Sequence, residues 1–348
     1  NGDDSNPNID TKAVAQQIER KPFYERNPQS SAPSYEVSSD KIRLSHTGWG
    51  DSYGTFTLNF PTESCKRVIL EYTMGCEGKR PADYDNTTII FVKDKTTEEW
   101  HEIARAFTPF GGLFESDWSK SFYLDITEFQ SLLQGETEFR YFYGGFDATD
   151  RMAHAVTLKF IHYKGEPSRK LLAVENVYDS ATTDNCGNRA WVYGIESHDI
   201  EAEERLGIRK VAIPKGTKEI ELRLSITGHG HDQGTFPDLG TTAENAAEFD
   251  ENTYTITING TKQSQQGRIF YSNANNYAQM GTYNYDRANW APGNPANIQY
   301  WRIERAVADK NNLTIDIDLP RFISQFDSPQ ANDGVARYIV QGDLFFYN

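Results

Sequence analysis

The sequence predicts an all-β protein, because short stretches of alternating apolar and polar residues recur along the chain and helix signals are scarce. The alternation is clear over residues 220–226 and again over residues 313–319. It is typical of a strand with one buried and one solvated face. Residues 254–258 repeat the pattern and end at Asn259-Gly260, a strong signal for a tight turn. Many short strands with turn residues between them predict antiparallel sandwiches of the jelly-roll type.

The N-terminal residues carry little apolar periodicity, and we assign residues 1–35 to an N-terminal extension or tether. Within it, the apolar positions among residues 13–18 favour a short helix. The polar stretch 1–8 starts with Asn and not with Met, as in a spacer that follows a removed export signal, although a cloning boundary would look the same. We therefore expect an exported protein, whether periplasmic, secreted or surface-tethered.

Strand patterns begin at residue 36. Residues 53–60 alternate, residues 88–92 form an apolar run typical of a buried strand, and residues 155–163 predict another strand. The clearest helix signal spans residues 125–135, which begin with Asp and Thr as candidate caps and end on glycine.

The polar segment 164–169 contains Gly165 and Pro167 and interrupts the strand patterns on its two sides. We therefore predict a linker there, with an N-terminal jelly roll over residues 36–166 and a C-terminal jelly roll over residues 167–348. A chain of 348 residues is long enough for two such domains in tandem.

The composition is acidic, with 35 Lys and Arg against 50 Asp and Glu, a formal net charge of −15. This balance argues against nucleic acid and anionic membrane as partners, because both need basic patches. No run of about 18 apolar residues occurs, so no membrane span is predicted. Cys65 and Cys76 flank a predicted strand roughly 36 Å long, which is too far for a disulfide.

Two long loops are predicted in the second half, over residues 228–252 and 262–297. Long loops without their own strands are more often functional than not. The second loop region carries rings beside Asn, Asp and Arg, a combination that suits a sugar-binding surface; the same rings could equally fill the second core. These residues are Tyr283, Tyr285, Trp290 and Trp301, with Arg287 among them.

Two carboxylates stand out by position among the 50 acidic residues. Asp85 follows Tyr84 and immediately precedes the apolar run 88–92, and Glu248 closes a long loop before the strand near Tyr254. Carboxylates at strand ends can converge across a cleft between domains, where burial shifts their pKa values apart. Asp85 and Glu248 are therefore a candidate catalytic pair.

The histidines offer a rival site at His229-Gly230-His231. An H-x-H sequence in extended backbone points both rings to one face, as a metal site requires. A third ligand would have to come from another histidine or a carboxylate. We favour the alternative, in which these loop histidines form hydrogen bonds to a sugar or to the backbone. Cys186 has no local signature of a nucleophile.

Several blocks of this sequence resemble the bacterial peptide-N-glycosidase F family, in the family's order, from about residue 55 to about residue 300. No single block is a unique fingerprint, but together they are specific. The matching blocks are residues 84–85, 89–103, 107–110, 124–129, 227–231, 247–249, 255–259 and 286–293.

The resemblance implies two eight-stranded jelly rolls packed side by side, with the active site in the groove between them. It implies hydrolysis of the amide bond between N-acetylglucosamine and Asn, which releases the intact N-glycan as a glycosylamine and converts Asn to Asp. The expected partners are N-glycosylated proteins or glycopeptides. No metal or organic cofactor is expected, and the protein is expected to be a monomer.

By the same resemblance, Asp85 falls on the family's principal catalytic aspartate and Glu248 on an assisting glutamate. Amide hydrolysis needs one group to deprotonate water and another to protonate the leaving nitrogen, and which residue is the acid stays open. Arg287 matches an arginine of the cleft, suited to orienting a carboxylate or the first sugar. The positions expected to contact substrate are Tyr84, Asn86, His231, Phe249, Arg287 and Trp290.

The sequence departs from the family pattern at three places. Pro81 stands where the family has a cysteine paired with the position of Cys76, and Asn86 stands where the family has an arginine facing the glycan core. A further family glutamate aligns near Gly144-Gly145, where no acid stands. The candidates to replace it are Asp147 and Asp150.

Two other functions remain open at this point. One is a non-catalytic glycan-binding protein on the same scaffold. The other is a copper monooxygenase related by fold, for which His229 and His231 would be ligands.

Overall fold

The structure is a computed structural model that describes most of the chain. The described residues are 14–44, 48–147, 154–181, 190–193, 195–196, 205–230, 233–236, 241–244, 247–260, 265–305, 311–320, 322–324 and 336–348. No helix among them has the length and apolar character needed to cross a membrane.

Residues 35–164 form the N-terminal sandwich, two antiparallel sheets around a shared apolar core. One sheet contains β2 (Tyr35–Ser38), β3 (Ile42–Leu44), β5 (Cys65–Cys76), β8 (Ser119–Asp125) and β10 (His154–Lys164). The other contains β4 (Gly48–Phe60), β6 (Thr87–Lys93), β7 (Trp100–Phe107) and β9 (Gly135–Asp147). Rings from both sheets meet in this core: Phe139 stacks on Phe56 at 5.2 Å and lies 5.4 Å from Phe160.

The C-terminal sandwich is formed by residues 171–348 together with one strand from the N-terminus. Its first sheet contains β1 (Ala15–Ile18), β11 (Leu171–Tyr178), β12 (Trp191–Tyr193), β15 (Glu219–His229), β20 (Gln299–Ile303) and β23 (Arg337–Tyr347). Its second sheet contains β14 (Arg209–Ala212), β18 (Asn252–Ile258), β19 (Gln265–Ile269) and β21 (Asn312–Asp318). Two small pairs complete it, β13 (Ile195–Glu196) with β22 (Ile323–Ser324) and β16 (Gln233–Phe236) with β17 (Thr241–Glu244).

The prediction of an all-β chain of antiparallel sandwiches is confirmed. The alternation of apolar and polar residues in the sequence matches an alternation of buried and partly exposed side chains. In β21, Leu313, Ile315 and Ile317 are buried, and the residues between them are partly exposed. Their side chains pack in the second apolar core with those of β15 and β18.

The helix predicted near residues 13–18 is wrong, because this segment forms strand β1. It pairs antiparallel with β20, with Ala15 opposite Ile303 and Ile18 opposite Tyr300. So short a segment gains little from helical hydrogen bonds, whereas pairing with β20 satisfies the backbone groups on the side that faces β20. The pairing partner lies far along the chain, where no local pattern reveals it.

The helix predicted over residues 125–135 is reduced to a 3-10 turn at Thr127–Leu132. The N-cap of this turn is Ile126, which makes no side-chain capping hydrogen bond, so neither Asp nor Thr is the cap. Asp125 Oδ1 instead accepts hydrogen bonds from the Thr127 backbone N–H at 3.1 Å and from its hydroxyl at 2.5 Å. The turn ends early because Gly135, with φ of +59°, already begins β9.

The N-terminal segment touches both sandwiches. Beyond β1, Arg20 forms an ion pair with Glu221 of the C-terminal sandwich at 2.7 Å. A few residues later, the backbone of Tyr24 pairs with that of Tyr123 in β8, and Phe23 packs edge-on against Phe122 at 5.6 Å. Residues 15–24 therefore bridge the two sandwiches.

Buried polar contacts fix the two sandwiches against each other. His101 in β7 shares a 2.8 Å hydrogen bond with Asp343 in β23, and both side chains are fully buried. Arg105 in β7 forms an ion pair with Glu102 at 2.6 Å and donates to the Thr227 hydroxyl of β15 at 2.9 Å. A buried charge is tolerated only when it is paired and hydrogen-bonded, so these contacts fix the relative position of β7 and β15.

Two buried histidines predict how stability depends on pH. Burial lowers the pKa of His154 and of His162 to about 4, from an ordinary value near 6.5. Between these values the unfolded chain binds protons that the folded chain does not. The free energy of unfolding is therefore at its full value above about pH 6.5. It decreases as the pH falls, by roughly 2 kcal/mol for each of these histidines at pH 5.

Urea unfolding at pH 7.5 and pH 5.0 checks this expectation. His162 stacks on Tyr35 at 4.2 Å and lies near Phe60, so His162→Phe removes the titrating group and keeps an aromatic ring. We expect the difference between the two pH values to shrink in His162→Phe by roughly 2 kcal/mol. An unchanged difference would contradict the assignment.

Candidate active site

The candidate site lies where loops from both sandwiches meet. Asp85 lies just before β6 in the N-terminal sandwich, separated from it by Asn86, and Glu248 lies between β17 and β18 in the C-terminal sandwich. Arg287 lies in the long loop after β19, where its backbone pairs with Tyr271 in an isolated bridge. The segment 262–297 was predicted to be one long loop, but it contains strand β19. Arg287 lies in the part of this segment that follows β19.

Backbone hydrogen bonds hold Glu248 beside Arg287. The Glu248 N–H donates to the Gly230 carbonyl at 3.1 Å, and the Ala288 N–H donates to the Glu248 carbonyl at 2.9 Å. Gly228 donates to the Ala288 carbonyl at 3.1 Å. A Cβ at Gly228 would lie 2.4 Å from the Ala247 carbonyl oxygen and 2.7 Å from the Ala288 side chain. Glycine is therefore required here because three backbone segments pack in direct contact.

Arg287 links the two candidate carboxylates. Its Nη2 lies 3.7 Å from Asp85 Oδ2, and its Nε lies 3.4 Å from Glu248 Oε1. The guanidinium is fully buried, whereas the Asp85 side chain is 12% exposed and the Glu248 side chain 16% exposed. Two negative charges thus share one buried positive charge, and both carboxylates keep limited access to solvent.

The remaining donors of Arg287 are taken by its own loop. Nη1 donates to the Thr282 carbonyl at 2.8 Å and to the Tyr285 carbonyl at 3.0 Å, and Nη2 donates to the Thr282 hydroxyl at 2.8 Å. Its guanidinium lies 4.8 Å from the Phe249 ring and 4.9 Å from the Trp290 ring, as in cation–π contacts. A planar fork with five donors is well suited to such multiple contacts. The geometry favours the orientation of carboxylates by Arg287 over direct contact with a sugar.

The residues predicted to contact substrate fall into two groups. Tyr84 is 53% exposed, and Phe249 is partly buried and packs edge-on against the exposed ring of Tyr285 at 6.0 Å. In contrast, Asn86 is buried, donates to the Tyr143 hydroxyl at 2.9 Å and lies below the surface.

Trp290, which was expected to contact substrate, is also buried. Its Nε1 donates to the Gly228 carbonyl at 2.8 Å, and its ring stacks on Phe107 at 4.3 Å. Trp301, another ring of the cluster, fills the second core, as the alternative interpretation allowed.

The histidine alternative finds little support. His229 is buried between Phe107 and Trp290, and its Nε2 shares a 2.7 Å hydrogen bond with the Thr227 hydroxyl. The pKa of His229 is well below its ordinary value, mainly because the ring is buried. The positive charges of nearby arginines lower this pKa further. His231 lies outside the described residues, and the described ones contain no cluster of three His, Cys, Asp or Glu side chains that could hold a metal ion.

One residue that contacts Arg287 was missed by the sequence analysis. Thr282, which accepts two hydrogen bonds from Arg287, was not predicted, since a lone threonine in a loop carries no signal.

The proposed replacements for the missing family carboxylate cannot be placed: Asp150 lies outside the described residues, and only the backbone of Asp147 is described. Cys65 and Cys76 lie at opposite ends of β5 as free thiols.

Comparison with known proteins identifies relatives. Residues 198–340 match the family model described as peptide-N-glycosidase F, C terminal. The chain is 32% identical over 246 residues to peptide-N(4)-(N-acetyl-beta-D-glucosaminyl)asparagine amidase F from Elizabethkingia miricola. This match covers 69% of the chain and 64% of the relative, slightly less than two thirds of the relative's length.

Solved structures show the same fold. Recombinant peptide:N-glycanase F superposes with a TM-score of 0.67 at 22% identity, covering 90% of this chain and 95% of that one. A glycosylasparaginase from Flavobacterium meningosepticum superposes with a TM-score of 0.63 at 21% identity, covering 89% of this chain and 96% of that one. The arrangement of the two sandwiches is therefore shared with these enzymes.

Proposed function

The chain is a relative of the peptide-N-glycosidase F family, and from this premise we propose that it hydrolyses the amide bond between N-acetylglucosamine and Asn in N-glycoproteins or glycopeptides. The products are the intact glycan, released as a glycosylamine, and a peptide in which Asn has become Asp. The observation that carries the proposal is the joint pairing of Asp85 and Glu248 with buried Arg287. It brings one carboxylate from each sandwich to one site.

The geometry suits amide hydrolysis. The oxygen of water adds to the side-chain carbonyl carbon of the substrate Asn, and the carbon–nitrogen bond then breaks. The water loses a proton and the departing nitrogen gains one, so two proton-transfer groups are useful. We assign Asp85 to the glycan–Asn linkage and Glu248 to the water, with Arg287 holding both carboxylates in position.

The exposed rings around the site suit a sugar. Tyr84 and Tyr285 are exposed and offer ring surfaces on which the C–H face of a carbohydrate ring can stack, and the partly buried Phe249 packs against Tyr285. We infer that these rings contact the core sugars. We also propose that the protein is a monomer of bacterial origin and that it is exported. Export would bring it to glycoproteins outside the cytoplasm.

Thr282 offers a test of how Arg287 is positioned. Thr282→Val keeps the shape of the side chain but removes the hydroxyl acceptor of Nη2, leaving a buried donor without a partner. We expect kcat for glycan release to fall roughly tenfold, as about 1.4 kcal/mol on the barrier would cause. Thr282→Ser, which keeps the hydroxyl, is the control and should retain wild-type kcat. Equal rates in both variants would contradict a positioning role for this contact.

The proposed activity is tested with a denatured N-glycoprotein and the purified chain. Mass spectrometry of both products should show a glycan with both core N-acetylglucosamine units and a peptide in which Asn is replaced by Asp. A peptide that retains one N-acetylglucosamine would identify a glycosidase of another class. Glycan binding without any product would indicate a non-catalytic glycan-binding protein.

A further inference from the structure

A second cleft, of about 340 Å³, lies where the N-terminal segment, β8 and the loop after β19 meet. This volume is at the lower end of the range for ligand-binding pockets. We call it the Lys120 cleft, and the proposed reaction does not use it. Its walls include Phe23, Glu25, Lys120, Tyr271, Asn273 and Asn275.

Asn273, which lines this cleft, leaves one buried acceptor unpaired. Its amide nitrogen donates to the Tyr285 carbonyl at 2.5 Å and to the Trp290 carbonyl at 3.3 Å. Because both partners are acceptors, the amide orientation is set and Oδ1 must point away from them. This oxygen is buried and has no hydrogen-bond partner among the described residues. An unpaired buried acceptor costs about 1–3 kcal/mol, so a donor that comes within reach of Oδ1 would be stabilising.

Lys120 and Glu25 add a donor and an acceptor of opposite charge. The Lys120 ammonium lies 3.8 Å from the centroid of the Tyr277 ring. Burial lowers the pKa of Lys120, and the charge of Glu25 acts in the opposite direction. The two side chains form no ion pair with each other in the described structure. Both therefore keep hydrogen-bonding capacity for a ligand.

We propose that the Lys120 cleft binds one sugar unit. A sugar hydroxyl can donate to Asn273 Oδ1 or Glu25 and can accept from Lys120, which a group with acceptors alone cannot do. The aromatic ring of Tyr271 or Phe23 offers a surface for the apolar face of the sugar. The small volume admits a single ring more readily than an extended chain.

The cleft also adjoins the candidate active site. Tyr271 exchanges backbone hydrogen bonds of 2.8 and 3.1 Å with Arg287, and the Asn273 amide binds the carbonyls of Tyr285 and Trp290 on either side of Arg287. A bound sugar would therefore contact the loop that holds Arg287. Any effect on catalysis rests on the proposed function, whereas sugar binding itself does not.

Saturation-transfer NMR on the full chain measures this binding directly. The probes are the methyl glycosides of mannose, galactose and N-acetylglucosamine. We expect at least one of them to receive saturation from the wild type and to lose most of that signal, at least fivefold, in Lys120→Met and in Asn275→Ala. Asn275 is exposed, so its variant should fold normally. Lys159→Met, which removes a lysine from β10 outside the cleft, is the matched control and should keep the signal.

Two results would overturn the proposal. One is the absence of saturation transfer to every glycoside, which would leave an ordered water as the partner of Asn273. The other is a signal that persists in both cleft variants, which would place the sugar elsewhere. Glycan release from a short glycopeptide is measured in parallel, so that loss of the proposed activity is distinguished from loss of sugar binding.

Discussion

Asp85→Asn is expected to lower the rate of glycan release by roughly 10²–10⁴-fold, the usual contribution of a general acid or base. The substitution keeps the size of the side chain but removes both its charge and its basicity. Asp85 is 12% exposed and lies 3.7 Å from Arg287, so it can reach a substrate while its position is fixed. The rate is measured as product formed per enzyme at saturating glycopeptide.

Glu248→Gln should also lower this rate, because Glu248 contacts the same guanidinium. Asp117→Asn is the matched control, since Asp117 is an exposed carboxylate in the loop before β8, and it should retain wild-type activity. If Asp85→Asn kept more than a tenth of the wild-type rate, Asp85 would not be a catalytic residue.

Arg287→Lys is expected to impair both activity and stability. Lysine keeps the positive charge, but its three donors cannot replace the five of the guanidinium, which contact Asp85, Glu248 and the loop at Thr282 and Tyr285. Disruption of a buried charge network typically costs about 3–5 kcal/mol. We therefore expect a lower urea midpoint and a reduction of kcat of roughly 10²-fold, because both carboxylates lose their alignment.

Arg268→Lys is the matched control for this prediction. Arg268 also pairs with a glutamate, Glu251 at 2.5 Å, and lies 5.0 Å from the Phe270 ring, but its side chain is 63% exposed. Exposed ion pairs contribute about 0–1 kcal/mol, so this variant should behave like the wild type. Equal effects at positions 268 and 287 would contradict the central role of Arg287.

Much of the fold is predictable from local sequence, because the alternation of a strand with one buried face is a local property. The strands at residues 254–258 and 313–319 were predicted in this way, and β18 and β21 lie there. β1 was not predicted, since its stability comes from pairing with β20 across the chain. A four-residue segment contains too little pattern to reveal such a partner.

The candidate site was predictable in part. The positions of Asp85 and Glu248 at strand ends allowed them to converge, and the resemblance to the peptide-N-glycosidase F family singled them out. Both carboxylates lie beside Arg287. The burial of Asn86 and Trp290 was not predictable, because the face that a loop residue presents depends on segments distant in sequence, such as Tyr143 and Gly228. The roles of Thr282 and Asn273 in holding the loop of Arg287 depend on the same kind of long-range packing.

The most direct test of the account is glycan release in water enriched with heavy oxygen. Direct attack of water on the Asn side chain predicts a new Asp that carries one heavy oxygen atom at each former glycosylation site. Substrate treated with the wild-type protein should contain labelled Asp. Substrate treated with the Asp85→Asn variant for the same time should contain none. Release of glycan without labelled Asp, or undiminished labelling by Asp85→Asn, would contradict an amidase centred on Asp85, Glu248 and Arg287.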